Sequence, residues 1–527
     1  MYPKSVQSWR SFFLASLWWL FPLALFYIHL GHFANDPNVG HNSISNILPA
    51  IAPSRGLGVP YRDYWDIYPP GIYLFWSIFS PFVVHGLWMA KLFHLILNFC
   101  FAGIFSELVK IYLSKQSEWI KWASWISFLV ILTSTSIQSQ LLSNTLIASL
   151  FSLLGFYFCA KRFTPATLLL SSFLLTTSGL IKDPFIFAAG APLLALFHFR
   201  KDYPKNYFLF PLLGIFLSLF LHAGYLLHLE VMGDYFQMVQ AKRALYIKSA
   251  FDLVAPNRVL FFIVNLFRSL FLIGGFPTLV ALYILQRKAK FQLLEVLGFL
   301  FFLLHLMGFN LQQKPRGIYL LEMLAPALIL LWSFYRVDQA APNRSRNETV
   351  KKTLQIAFLL LLLPNFDALK TVFSEPKLNP AEMNRAIFAE PNHGDLAPAL
   401  KSILAQDPRV MQVYGWGSPL FYFNTHTKPF NRFFILHASI LGEKQREEWV
   451  RSFQKELPKI VLYGAGVAAD MDVQTFESQT LQLKLLLQNC YRKEGGAYLL
   501  RETPCRVFQE QPEWFIAPRY LISPAKK

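Results

Sequence analysis

Apolar residues in this chain run in long blocks separated by short polar breaks, and most of the breaks are basic. A membrane-spanning helix needs about 20 mainly apolar residues. Blocks of that kind cover 11–30, 92–112, 123–138, 142–160, 164–181, 184–199, 206–228, 259–285, 291–309, 318–335 and 353–370. The segment 69–86 is a further candidate, but Pro69, Pro70 and Pro81 make it a poor regular span. The first block is long enough to span and no small-residue cleavage site follows it, so it reads as an uncleaved first helix.

The charges between blocks decide the topology. With Lys4 and Arg10 in the cytoplasm and 69–86 lying on the outer surface, the inner loops hold Lys115 and Lys121, Lys161 and Arg162, Arg200, Lys201 and Lys205, Arg287, Lys288 and Lys290, and Arg336 through Lys352. Every cytoplasmic turn is then basic, as the positive-inside rule requires. The expected fold is a polytopic α-helical membrane protein. It has about 11 transmembrane helices plus an outer-surface juxtamembrane helix, and a C-terminal soluble α/β domain. The membrane domain covers 1–370, with a first outer loop at 31–91, and the extracytoplasmic domain covers 371–527.

In that second part, 410–414 and 460–463 read as strands and 443–457 as a charged amphipathic helix between them. Gly464-Ala465-Gly466 is not a dinucleotide fingerprint, because the third glycine and the later acidic residue are not in place. Cys490 and Cys505 flank Glu494-Gly495-Gly496. A turn there would bring them together, so the pair is a disulfide candidate if this domain lies in an oxidising compartment.

Composition sharpens the division. Hydrophobic residues make up 54% of the 527, and charged residues only 15%, against roughly 25% in soluble domains. Most of the excess lies before residue 370. The net charge of +18 is spread over short loops, with no basic face or recognition motif, so no nucleic-acid partner is expected.

Candidate chemistry collects on the outer side. Asp36 follows the first span. Pro60-Tyr61-Arg62-Asp63-Tyr64-Trp65-Asp66-Ile67-Tyr68-Pro69-Pro70-Gly71 sets two more carboxylates and an arginine among aromatics. A carboxylate there could act as general base on an acceptor hydroxyl or amine; the other reading is loop charges paired with Arg62 or Arg55. Lys182 and Asp183 fall between two apolar blocks. Ionisable groups at such a depth point to function, and Lys182 could hold a phosphate or simply snorkel to the surface. Two further outer loops carry cations that topology does not need: Lys242, Arg243 and Lys248 in 229–258, and Lys314 and Arg316, followed by Tyr319, near 310–317. An anionic ligand such as a lipid phosphate would account for them; so would contact with anionic headgroups. No two histidines stand four apart, as the zinc-binding helical motif requires, and no phosphate-cradling glycine loop occurs. No metal and no cofactor is expected.

The order of these features resembles the GT-C superfamily of membrane glycosyltransferases, in particular bacterial relatives of the protein O-mannosyltransferase and aminoarabinose transferase group. The resemblance rests on the acidic residue after the first span and the aromatic-acidic stretch into Pro69-Pro70. It continues through the Gly179–Pro184 loop, Arg316-Gly317-Ile318-Tyr319 through Pro326, Val413 to Pro419, and Asn431-Arg432-Phe433. It implies an inverting hexosyl- or pentosyltransferase in a bacterial inner membrane. The enzyme would move a sugar from a polyprenyl-phosphate carrier to an acceptor glycan, lipid or protein on the non-cytoplasmic face. By the same resemblance Asp36 is the catalytic acidic residue, which deprotonates or orients the acceptor nucleophile. Arg62, Asp63 and Asp66 shape the substrate pocket with Asp183, Arg243 and Tyr319, and Lys182, Lys314 and Arg316 hold the carrier phosphate. The chain departs from the family pattern twice. Asp36-Pro37 stands where an Asp-Glu pair is frequent, and Tyr68 stands where a lysine often precedes Pro-Pro. The alternative is a secondary transporter or flippase of an anionic solute or lipid. The gathering of polar residues at one face and the lack of an internal repeat favour surface chemistry.

Overall fold

A computed structural model describes residues 41–66, 68–84, 144–251 and 293–311, with scattered positions between 89 and 108. In the C-terminal part it describes 411–414, 422–423, 426–434, 443–463, 485–494, 497–503 and Cys505. The expected spans 11–30, 123–138, 259–285, 318–335 and 353–370 lie outside the described residues.

The described chain is mostly helical. In order come α1 (His41–Ile51), α2 (Pro70–Ile78), α3 (Ser80–Val83), α4 (Asn144–Lys161), α5 (Pro165–Ile181), a 3-10 segment (Asp183–Gly190), α6 (Ala191–His198), α7 (Leu209–His228), α8 (Met232–Phe251) and α9 (Leu293–Leu311). Among the described residues two helices are long and apolar enough to cross a membrane: Asn144–Lys161, and Lys205–His228, which runs through a 3-10 turn into α7. Their 18 and 24 residues correspond to about 27 and 36 Å at ~1.5 Å per residue. α7 carries a broad apolar face that the protein leaves open, with Phe216 62% and Phe220 67% exposed. A surface of that kind suits lipid or another apolar partner, not water.

α5 is the centre of the bundle and packs against both α4 and α7. Pro165 in its first turn and a capping box between Thr164 and Thr167 fix its start. Its inner face is small and hydroxylic, which lets helices approach and bond across. Ser171 donates to the Gly155 carbonyl at 2.7 Å and Ser178 to the Ala148 carbonyl at 2.7 Å. The Thr177 and Ser218 hydroxyls pair at 2.9 Å. The apolar block at 184–199 is realised as the 3-10 segment followed by α6. Pro184, Gly190 and Pro192 explain why one regular helix does not form.

The segment 69–86 is also broken. α2 has 9 residues and α3 has 4, so neither approaches the length of a span. α2 instead runs across α1, α5 and α7. Its first turn meets the C-terminal end of α5: a Cβ on Gly71 would lie 2.6 Å from the Leu180 carbonyl oxygen. α1 was not visible in the apolar pattern. It is tied to α4 by Asn46, which donates to Asn144 at 2.6 Å.

The two ends of the bundle differ. At one end Phe163 meets Tyr203 at 5.0 Å, beside exposed Lys161, Arg162, Arg200, Lys201 and Lys205. At the other, the C-terminal ends of α5 and α7 meet α2 and the start of α8.

The C-terminal region holds a four-stranded sheet in the order β1-β2-β4-β3, formed by Met411–Tyr414, Ile460–Tyr463, Tyr491–Glu494 and Ala497–Leu500. β1 and β2 are parallel, with Met411 opposite Ile460, and α10 (Glu443–Lys455) lies in the connection between them. β3 and β4 form an antiparallel hairpin, with Tyr491 opposite Leu500 and Glu494 opposite Ala497. Cys490 and Cys505 are disulfide-bonded across the open end of that hairpin, with Cα atoms 5.0 Å apart.

Two outcomes follow from this packing. Gly71→Ala should lower thermal stability in lipid by about 1–3 kcal/mol, because backbone must move to admit the methyl. Gly190→Ala, which meets no atom within 4 Å, should leave the transition unchanged. Alkylation of the denatured, unreduced protein should label Cys100 and Cys159 alone, and all four cysteines should react after reduction, as read by mass spectrometry.

Candidate active site at one end of the bundle

The stretch 57–66 is a closed turn built around one carboxylate. Asp63 accepts from the Val59 backbone at 2.8 Å through Oδ2 and from Lys428 at 2.6 Å through Oδ1. Gly58, at φ +115°, makes room for it: a Cβ there would meet the Asp63 side chain at 2.7 Å. Tyr61 is held at φ +64°, a conformation that a bulky residue adopts only when its surroundings impose it. Those surroundings are clear. Its backbone N–H donates to the Tyr64 carbonyl at 2.9 Å, and its hydroxyl donates to the Tyr68 carbonyl at 2.8 Å.

This turn buries a group of aromatics beside acidic side chains. The Tyr61 ring meets Tyr73 of α2 edge-on at 5.2 Å and Tyr235 of α8 at 5.3 Å. Asp66 is buried next to them, 2% exposed. Burial, then the neighbouring phenols Tyr235 and Tyr225 and the carboxylates Asp66 and Asp183, hold the Tyr61 phenol well above its ordinary range. Burial and then Asp66 do the same for Tyr73. Tyr235 is pushed up to about 12 by burial first and by Asp183 second.

Two lysines border the group. Lys182 caps the C-terminal end of α5 and sets its ammonium 5.1 Å from the centre of the Tyr68 ring. The cation thus lies beside the residue that stands immediately before Pro69-Pro70. Asp183 is exposed and forms an ion pair with Lys242 of α8. That pair ties the α5 end to α8.

The third wall comes from the C-terminal region. Arg55 donates to the Phe423 carbonyl at 2.9 Å and to the Val84 carbonyl at 2.7 Å, and lies over the Phe423 ring. Tyr64 meets Phe434 edge-on at 5.4 Å. The Trp65 backbone donates to the Arg432 carbonyl at 2.7 Å, and the Arg432 guanidinium lies 4.5 Å from the centre of the Trp65 ring.

The sequence-derived residues therefore fall into four groups. Asp66, Lys182 and Asp183 converge at this end of the bundle. Asp63 locks the turn, and Arg62, half exposed, reaches it at 3.6 Å. Arg243 lies on α8. Asp36, Lys314, Arg316 and Tyr319 lie outside the described residues. Tyr73, Tyr235 and Lys428 carried no local signal in the sequence, since each matters through a partner distant in the chain. Among the described residues no three His, Cys, Asp or Glu side chains gather as a metal site requires.

No protein-family model, curated protein or solved structure matches this chain.

The raised phenols set a pH limit. An unfolded tyrosine ionises near ~10, whereas Tyr235 holds its proton to about 12. The folded state therefore binds more protons than the unfolded state above ~10, and stability falls as pH rises. The contribution is full below ~10 and is lost as pH passes 12. Thermal unfolding followed from pH 8 to 12 should show this decline, and Tyr235→Phe should make it shallower.

Proposed function

We propose that this chain is an integral membrane glycosyltransferase of GT-C type, moving a sugar from a polyprenyl-phosphate carrier to an acceptor on the non-cytoplasmic face. The observation that carries the reading is the position of Lys182 over Tyr68, at the entrance to Pro69-Pro70. A cation stands at the start of α2 even though the residue before Pro-Pro is not a lysine. Around it lie Asp66, Tyr61 and the Asp183–Lys242 pair. They share one end of an apolar bundle, where a lipid tail could lie beside the helices and its phosphate reach the cation.

Two features support the orientation. The Cys490–Cys505 disulfide suits an oxidising compartment. The C-terminal region that carries it is bonded to the first loop through Lys428 and Arg432, so loop and sheet share a side. The opposite end of the bundle carries the exposed Lys161, Arg162, Arg200, Lys201 and Lys205, as a cytoplasmic face does.

In the proposed reaction the acceptor hydroxyl loses its proton to the Asp36 carboxylate as its oxygen attacks the anomeric carbon. The bond from that carbon to the carrier phosphate oxygen breaks, and the electron pair leaves with the phosphate. Attack opposite the leaving group inverts the configuration. Lys182 offsets the charge that builds on the departing phosphate, and the buried turn around Tyr61 keeps the cation and Asp66 in register.

The test is transfer by the purified protein in lipid, with radiolabelled polyprenyl-phosphate sugars and a lipid extract as acceptor. Wild type should consume carrier and form labelled product. Asp36→Asn should abolish turnover, and Lys182→Met should lower kcat by about 10²–10³. If no sugar tested is consumed, the transferase reading fails and transport of an anionic lipid becomes the reading to assay.

A further inference from the structure

We propose that Arg432, in the C-terminal region, is a positioning residue for this site, and that the segment 426–434 acts as a strap without which the Trp65–Asp66 wall is not held. The inference rests on the transferase reading for what the wall does, and on geometry alone for what Arg432 does.

Arg432 stands where three separate parts of the chain meet. Its carbonyl accepts the Trp65 N–H at 2.7 Å, and its guanidinium lies over the Trp65 ring, 4.5 Å from the centre. Nη1 lies 4.0 Å from Asp234 in the first turn of α8, the helix that carries Tyr235 against Tyr61 and Lys242 against Asp183. Nη2 donates to Glu448 of α10. One planar cation thus joins the loop, α8 and α10, and its side chain is only 15% exposed.

The strap is secured on both sides of Arg432. Lys428 reaches Asp63, Asn431 donates to Ser452 at 3.1 Å, Phe433 packs on Trp65 at 6.0 Å and Phe434 on Tyr64 at 5.4 Å. Trp65 is 1% exposed and its neighbour Asp66 is 2% exposed. A wall residue so placed cannot reach the acceptor or carrier by moving out; its position is set by what is stacked on it. Lysine cannot replace the arginine, because it keeps the charge and loses the plane and the fork.

The experiment combines amide exchange with kinetics on the full chain in lipid. Arg432→Ala keeps the backbone carbonyl that Trp65 bonds. A tenfold or greater rise in Trp65 amide exchange, with peptides of α4 and α5 unchanged, is expected if the side chain holds the strap. Exchange at Trp65 within twofold of wild type overturns the proposal. With the carrier consumed by wild type, kcat should fall about tenfold while the KM for carrier changes less than twofold, and Arg432→Lys should stay within threefold of the alanine variant. Wild-type kcat in Arg432→Lys overturns the positioning role. Should Arg432→Ala fail to fold, Glu448→Gln removes only an exposed partner. It should raise Trp65 exchange about threefold, and no rise overturns the proposal. A wild type that consumes no carrier sinks the transferase reading, while the exchange contrast still decides whether Arg432 holds the wall.

Discussion

The contact between Gly71 and the backbone at Leu180 is the constraint on which the rest of the site depends. α2 starts directly on the C-terminal end of α5 with no side chain between them. Tyr68, two residues before α2, is therefore brought under Lys182, one residue past α5. A longer spacer at position 71 would separate the ring from the cation. The same contact carries Tyr73 into the group formed by Tyr61 and Tyr235. The pair of prolines serves this arrangement: they fix the entry to α2 in an extended conformation, and Pro70 takes the first helical position without losing a hydrogen bond.

The bundle beneath is held by polar groups as much as by apolar ones. Ser171, Ser178, Thr177 and Ser218 bond across helices, and Ser152 pairs with His305 of α9 at 2.9 Å. In an apolar surrounding a hydroxyl without a partner is costly, so such bonds set helix register as well as adding stability. Ser77 extends the pattern upward, bonding both the Ala50 carbonyl and the Tyr225 hydroxyl at 3.0 Å. α1, α2 and α7 are thereby joined just below the site.

The C-terminal region is a structural part of this end of the molecule. Arg55, Asp63 and Trp65 of the first loop each meet a partner more than 360 residues away. Asp63 is instructive: read in isolation it is one of three carboxylates open to catalysis, yet both of its oxygens are engaged in holding the turn. The buried Asp66 instead lies among the phenols of Tyr61 and Tyr73.

Period and block length in the chain determine the helices of the bundle and the β1–α10–β2 unit, because burial of apolar side chains and local backbone preference act over a few residues. The apolar blocks at 142–160, 164–181 and 291–309 and the strands expected at 410–414 and 460–463 are legible for that reason, and they appear as α4, α5, α9, β1 and β2. α1 was not, since it is short, holds Asn42 and Asn46, and is buried only through its neighbours. The sequence by itself also marks Asp66, Lys182 and Asp183 as ionisable groups placed beside apolar blocks. Only the tertiary structure decided that Lys182 faces Tyr68, that Asp183 is bound to Lys242, and that Arg432 stacks on Trp65. Those pairings join segments that no local propensity connects, and they form when backbone approach and shape bring the segments together.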